Sequence, residues 1–109
     1  MIDWTRVNDL RDEIGADSFD GVALLFLEEA DEALALLDGD QAAKALEAAL
    51  HFLKGAALNL GFSVLADMCQ DGERRAAGGS TEVDLAAICS VYAASKAAFQ
   101  TGRTTALSA

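Results

Sequence analysis

SFDGVALLFLEEADEALALLD spans residues 18–38, and its period decides the fold. Phe19, Val22, Ala23, Phe26, Leu27, Ala30, Ala33, Leu34 and Leu37 recur at three- and four-residue steps. At 100° per residue they form one apolar stripe, while Glu28, Glu29, Asp31 and Glu32 fall largely on the other side. A helix with one such stripe is stable only against other helices or a sheet. The flanking sequence offers helices. Downstream, a segment capped by Asp40 and running to about Leu60 places Ala43, Leu46, Leu50, Leu53, Ala57 and Leu60 on one face, and Gly61 ends it. A fourth helix takes Ser63 as cap and carries Leu65, Ala66, Met68, Cys69 and Ala76. A fifth opens on the box Thr81-x-x-Asp84 and carries Leu85, Ile88, Val91, Tyr92, Ser95 and Phe99. Upstream, Asp3 caps a short helix from Trp4 to Ile14 with Trp4, Val7, Leu10 and Ile14 on one side.

Composition agrees with that period. The 109 residues hold 23 Ala and 15 Leu, against 5 Val, 3 Ile and 5 Thr, and no proline. Good helix formers dominate and the strongest helix breaker is missing. Gly15, Gly39, Gly61 and Gly78-Gly79 punctuate the segments as helix-closing glycines do. Long helices joined by short turns must alternate in direction. The expected fold is therefore all-α: an antiparallel up-down four-helix bundle with a short extra N-terminal helix. One domain covers residues 1–109, with the N-terminal helix at about 1–16, the bundle at 17–101 and a fraying tail at 102–109.

A formal net charge of −10, from 8 basic and 18 acidic residues, disfavours nucleic acid and anionic membranes as partners. The apolar runs are too short to span a bilayer, and the charged first twenty residues do not read as a signal peptide, so a cytoplasmic location is expected. Cys69 and Cys89 lack metal or redox spacing and are expected to be buried free thiols. The acidic residues of the second helix lack the loop spacing of a calcium site, and no metal site is expected.

His51, the only histidine, does not fit the core stripe of the third helix. With Leu50 at zero it falls at about +100°, pointing outward, with Lys54 and Leu58 on the same side one and two turns on. Gly55 costs roughly 0.5 to 1 kcal/mol relative to alanine inside a helix. A Cβ there is expected to crowd the imidazole, so access to His51 is the simplest reason for it. Without His51, Lys54 would read as an ordinary ion pair with Glu47 or another carboxylate.

The stretch His51-Phe-Leu-Lys54-Gly55-Ala-Ala-Leu-Asn59-Leu-Gly61 resembles the signature of histidine-containing phosphotransfer (HPt) domains, with Lys at +3, Gly at +4 and Gly at +10 from the His. The resemblance extends upstream through Phe19, Leu24, Leu25, Phe26, Leu27, Glu28, Glu29 and Ala30, and downstream through Leu65, Cys69 and Glu73, covering about residues 3–100. It implies a carrier whose His51 Nε2 takes a phosphoryl group from one receiver-domain aspartate and passes it to another. By the same resemblance Lys54 neutralises the phosphoryl oxygens, and the partners are response-regulator receiver domains and a hybrid histidine kinase. No cofactor is expected on this chain, because magnesium would sit on the receiver. Glu73, where the family often has Gln, could orient the imidazole through Nδ1. Gly72, where relatives usually have a larger apolar residue, is expected to loosen or kink the fourth helix. Phe52 and Leu58 flank His51 as partner-docking candidates. The chain has neither a Gly-rich nucleotide loop nor room for an ATP-binding lobe, so it is expected to be a phosphotransfer intermediate rather than an enzyme. It is expected to be monomeric. The alternative is a helical docking module that regulates a receiver or kinase without being phosphorylated.

Overall fold

The computed structural model describes residues 2–37 and 41–102. Five helices follow one another: α1 Trp4–Ile14, α2 Ala16–Ala35, α3 Ala43–Leu60, α4 Ser63–Ala77 and α5 Leu85–Gly102. The apolar stripes meet as their period requires. Ala23, Leu27, Ala30 and Ala33 of α2, Leu46, Leu50, Leu53, Ala57 and Leu60 of α3, Leu65 and Cys69 of α4, and Ile88, Tyr92 and Phe99 of α5 are all buried in one core. α3 is the central helix of the bundle and packs on both α2 and α4. α5 returns against α2, where the Tyr92 hydroxyl reaches the Leu27 carbonyl and the Asp31 carboxylate, and Lys96 approaches Asp31 at 3.4 Å.

α1 lies across the end of the bundle. Asp3 caps it as expected, its carboxylate accepting from the Arg6 amide at 3.2 Å. Trp4 stacks on Phe99 with ring centroids 6.1 Å apart, and Phe99 meets Phe62 edge-on at 5.7 Å. The Asp3 amide also donates to the Gly61 carbonyl at 2.7 Å. Gly61 has φ +74°, and a Cβ there would stand 2.6 Å from the Asp3 carbonyl oxygen. The α3–α4 turn therefore needs glycine both for its left-handed backbone and for the close seat of the N-terminal segment.

Five expectations about helix ends and burial need correction. α2 starts at Ala16 rather than Ser18 and ends at Ala35, while Asp38, Gly39 and the expected cap Asp40 lie outside the described residues. Ser63 is the first residue of α4 and Phe62 holds the cap position, with no side-chain cap bond. α5 is capped by Asp84, whose carboxylate accepts from the Ala87 amide at 2.9 Å; Thr81 sits in the preceding loop. A carboxylate immediately before the first turn takes an orphan amide, so the cap falls three residues later than the box suggested. Cys69 is buried as expected, but Cys89 is exposed, because it lies one residue off the Ile88–Tyr92 stripe of α5. The tail expectation overlaps α5, which continues through Gly102; residues 103–109 lie outside the described part.

Candidate functional site

The outward angle of His51 is what the structure shows: its side chain is 70 % exposed in the middle of α3. Antiparallel pairing of α3 with α4 brings Glu73 alongside, and the Glu73 carboxylate makes two contacts. His51 Nδ1 lies 2.7 Å from Oε1, and Lys54 Nζ lies 2.7 Å from Oε2. A carboxylate can only accept, so Nδ1 carries the hydrogen and a neutral ring presents its lone pair at Nε2. Of the carboxylates open to Lys54, the structure pairs it with Glu73 of the next helix rather than with Glu47 of its own.

Partial burial works against charge on Glu73, whose side chain is 20 % exposed, but the Lys54 ammonium and the His51 ring outweigh it and hold the carboxyl below the usual carboxylate range. Cys69, one turn earlier on α4, has its thiol pushed up to about 12 by burial and by the neighbouring Glu73, with Lys54 opposing. A thiol so protonated is packing rather than a nucleophile.

The two helix-interior glycines near this triad behave differently. Gly72 is buried, and a Cβ there would come 2.9 Å from Leu50 Cδ1 and 3.0 Å from Val83 Cγ1. It gives α4 close contact with α3, and α4 runs unbroken from Ser63 to Ala77. The expected loosening is absent: the space a larger residue would fill is taken by Leu50 and Val83. At Gly55 a Cβ would meet nothing within 4 Å, the imidazole included, so the expected crowding of the ring does not occur. What Gly55 leaves open is space on the outward side of α3.

Sequence reasoning assigned nothing to Asn59, although it lies in the quoted motif. Its Nδ2 donates to the Gly55 carbonyl at 3.1 Å, and its Oδ1 accepts from Arg6 at 3.2 Å. A short amide four residues after a helical glycine can bond back to the carbonyl that glycine exposes, and that spacing was the available signal. Arg6 thereby ties α1 to the helix that bears His51. Phe52 and Leu58 are exposed at 45 % and 54 %, and Leu58 lines a shallow cleft with Asp3, Arg6 and Ser63. Among the described residues no three His, Cys, Asp or Glu side chains converge to hold a metal ion, and no helix is long and apolar enough to cross a membrane.

Comparison with protein families adds one result. The family model described as Hpt domain matches residues 21–101, which contain α3, α4 and the His51–Lys54–Glu73 triad. Comparisons with curated proteins and with solved structures returned no match. The exposed histidine, the all-helical bundle around it and a match over most of the chain agree: the chain belongs to the Hpt domain family, whose members are phosphotransfer modules of phosphorelays without kinase activity of their own.

Proposed function

We propose that this chain carries a phosphoryl group on His51 between receiver-domain aspartates. The observation that carries the reading is the division of labour on the ring: Nδ1 is engaged by Glu73 at 2.7 Å while the rest of the imidazole faces solvent. In the accepting step the Nε2 lone pair attacks phosphorus of the aspartyl phosphate. The Nε2–P bond forms, the P–O bond to the aspartate breaks, and the aspartate leaves as a carboxylate. No proton has to move. The ring becomes a phosphoimidazolium with its Nδ1–H retained, and the Glu73 carboxylate already stands where that positive charge develops. Return of the phosphoryl group to a second aspartate reverses the same step.

Lys54 is, among the described residues, the ammonium held beside the imidazole by the same carboxylate, and we assign it the phosphoryl oxygens. Glu73 is then a positioning residue that serves both. Gly55 keeps the approach to the ring open, with Phe52 and Leu58 as apolar contacts for the partner. The partners are receiver domains and a hybrid histidine kinase, with magnesium supplied in the receiver's acidic pocket. The carrier has no kinase activity of its own and acts as a cytoplasmic monomer. Phosphorus–proton NMR of the phosphorylated protein tests the reading. Coupling that places phosphorus on Nε2 of His51 is expected; phosphorus on Nδ1, or on any other residue, would contradict it.

A further inference from the structure

We propose that α1 is a strap on the phosphoacceptor's helix: through Arg6 and Asn59 it holds the α3 backbone at Gly55, and so keeps His51 and Lys54 on the Glu73 carboxylate. Arg6 and Asn59 are then positioning residues, which act through the backbone of α3 rather than on the phosphoryl group. The inference rests on the phosphotransfer reading for its consequence, the rate at His51, and on geometry alone for the strap.

Gly55 is the weak point of α3. It is the only glycine inside that helix, four residues after His51 and next to Lys54, and glycine leaves the backbone freer than any other residue does. The inward face of this turn is fixed by Leu50 and Leu53, both fully buried. The outward face has no such hold, since a Cβ at Gly55 would meet nothing within 4 Å. Solvent-side carbonyls of a helix tilt out toward water, and the helix bends with them. A tilt of about 10° at Gly55 displaces a residue one turn away by about 1 Å. The two contacts on Glu73 are 2.7 Å long, so a displacement of that size is enough to take them past hydrogen-bond range.

The strap spans this point. Counted from His51, Gly55 and Asn59 fall at about +40° and +80°, on the outward side of α3. Asn59 Nδ2 donates to the Gly55 carbonyl at 3.1 Å, so an amide stands where water would otherwise draw that carbonyl outward. The other end of the amide is held as well, because Oδ1 accepts from Arg6 at 3.2 Å, and Arg6 in turn faces Glu13 of α1 at 3.6 Å. α1 has its own anchors. Ile2 pairs with Phe62 in an isolated antiparallel bridge, the Asp3 amide donates to the Gly61 carbonyl at 2.7 Å, and Val7 is buried beside Gly61. Those anchors reach only the α3–α4 turn, and the Arg6–Asn59 chain carries the hold back along α3 to Gly55. Within the helix the Gly55 amide bonds to the His51 carbonyl, so the tie ends on the phosphoacceptor's own peptide. α1 ends at Ile14 and the family match starts at residue 21, so the strap comes from outside the matched region.

The test separates the strap from ordinary stability. Alanine is a better helix former than asparagine, so Asn59→Ala should keep the helical content and leave Tm within a few degrees of the parent. Ring nitrogen shifts of His51, read by NMR at about pH 8.5 where an ordinary imidazole is neutral, report which nitrogen holds the hydrogen. The Nδ1–H form should predominate in the unaltered chain, and its ratio to the Nε2–H form should fall at least about threefold in Asn59→Ala and in Arg6→Met. Labelling of His51 by phosphoramidate, which loses ammonia as the Nε2–P bond forms, should slow at least about threefold in both variants. In the Gly55→Ala chain the weak point is gone, so adding Asn59→Ala there should slow labelling less than about 1.5-fold. An unchanged tautomer ratio and rate, a fall that only follows lost helical content, or an equal loss on the Gly55→Ala background would overturn the proposal. If the unaltered chain is not labelled at all, the phosphotransfer reading falls, and the tautomer ratios still decide the strap.

Discussion

Gly55 on α3 and Gly72 on α4 sit one turn after His51 and one residue before Glu73, and both cost their helices the same backbone freedom. One faces open space and the other faces Leu50 and Val83. The inward glycine lets two helices approach until the Glu73 carboxylate spans His51 and Lys54; removing that closeness would disturb the site only through the fold. The outward glycine's missing side chain leaves no gap in the packing, since a Cβ there would touch nothing within 4 Å. Side by side they separate a glycine whose side-chain space is taken by packing from one whose side-chain space is open, as the access role proposed for it requires.

That contrast can be broken by substitution. The largest expected effect is at Gly55→Leu: the rate of transfer from a charged receiver should fall at least about tenfold, with thermal stability kept, because the added side chain occupies only the approach to the ring. Transfer that is unaffected would remove the access argument. Gly72→Leu should instead lower stability by about 1 to 3 kcal/mol through overpacking against Leu50, read as a drop of several degrees in Tm. A Tm equal to that of the parent would show that α4 can shift freely, and that Gly72 sets no spacing. Glu73→Gln should cost about 1 to 2 kcal/mol near neutral pH, since a charge-assisted contact on each side is weakened. It should also flatten the acid limb. Glu73 is held below its ordinary value of 4.5 in the folded chain, so its contribution is present above that value and is lost as pH falls through the lowered one. Urea midpoints across pH check both parts. The smallest effect is at Gly55→Ala, which should raise stability by about 0.5 to 1 kcal/mol, since the new Cβ meets nothing.

Much of this was legible in the sequence because it is periodic. The stripe from Phe19 to Leu37 and its counterparts fixed the number, direction and packing faces of the helices, and the angle of His51 from Leu50 already turned the ring outward. Helix ends were harder. The Thr81 box and Ser63 both have the chemistry of a cap, and only the placement of the first turn decides in favour of Asp84 and Phe62. Cys89 was misjudged because it sits one residue from a buried position. The site divides in the same way. His51, Lys54 and Gly55 are neighbours on one helix and can be read by angle, and the resemblance to HPt domains pointed to Glu73. That one carboxylate would hold both the ring and the ammonium depends on the distance between α3 and α4, which Gly72 sets by packing and no local pattern reveals. The Arg6–Asn59–Gly55 chain lay hidden for the same reason, since its members are far apart in sequence.

The central claim is that His51 is the covalent carrier, and intact mass after exposure to a phosphorylated receiver domain tests it most directly. The account predicts that the unaltered chain gains one acid-labile phosphoryl group and that His51→Gln, folded to the same helical content, gains none. A phosphoryl group that appears on His51→Gln, or none on either protein while the receiver still binds, would contradict it.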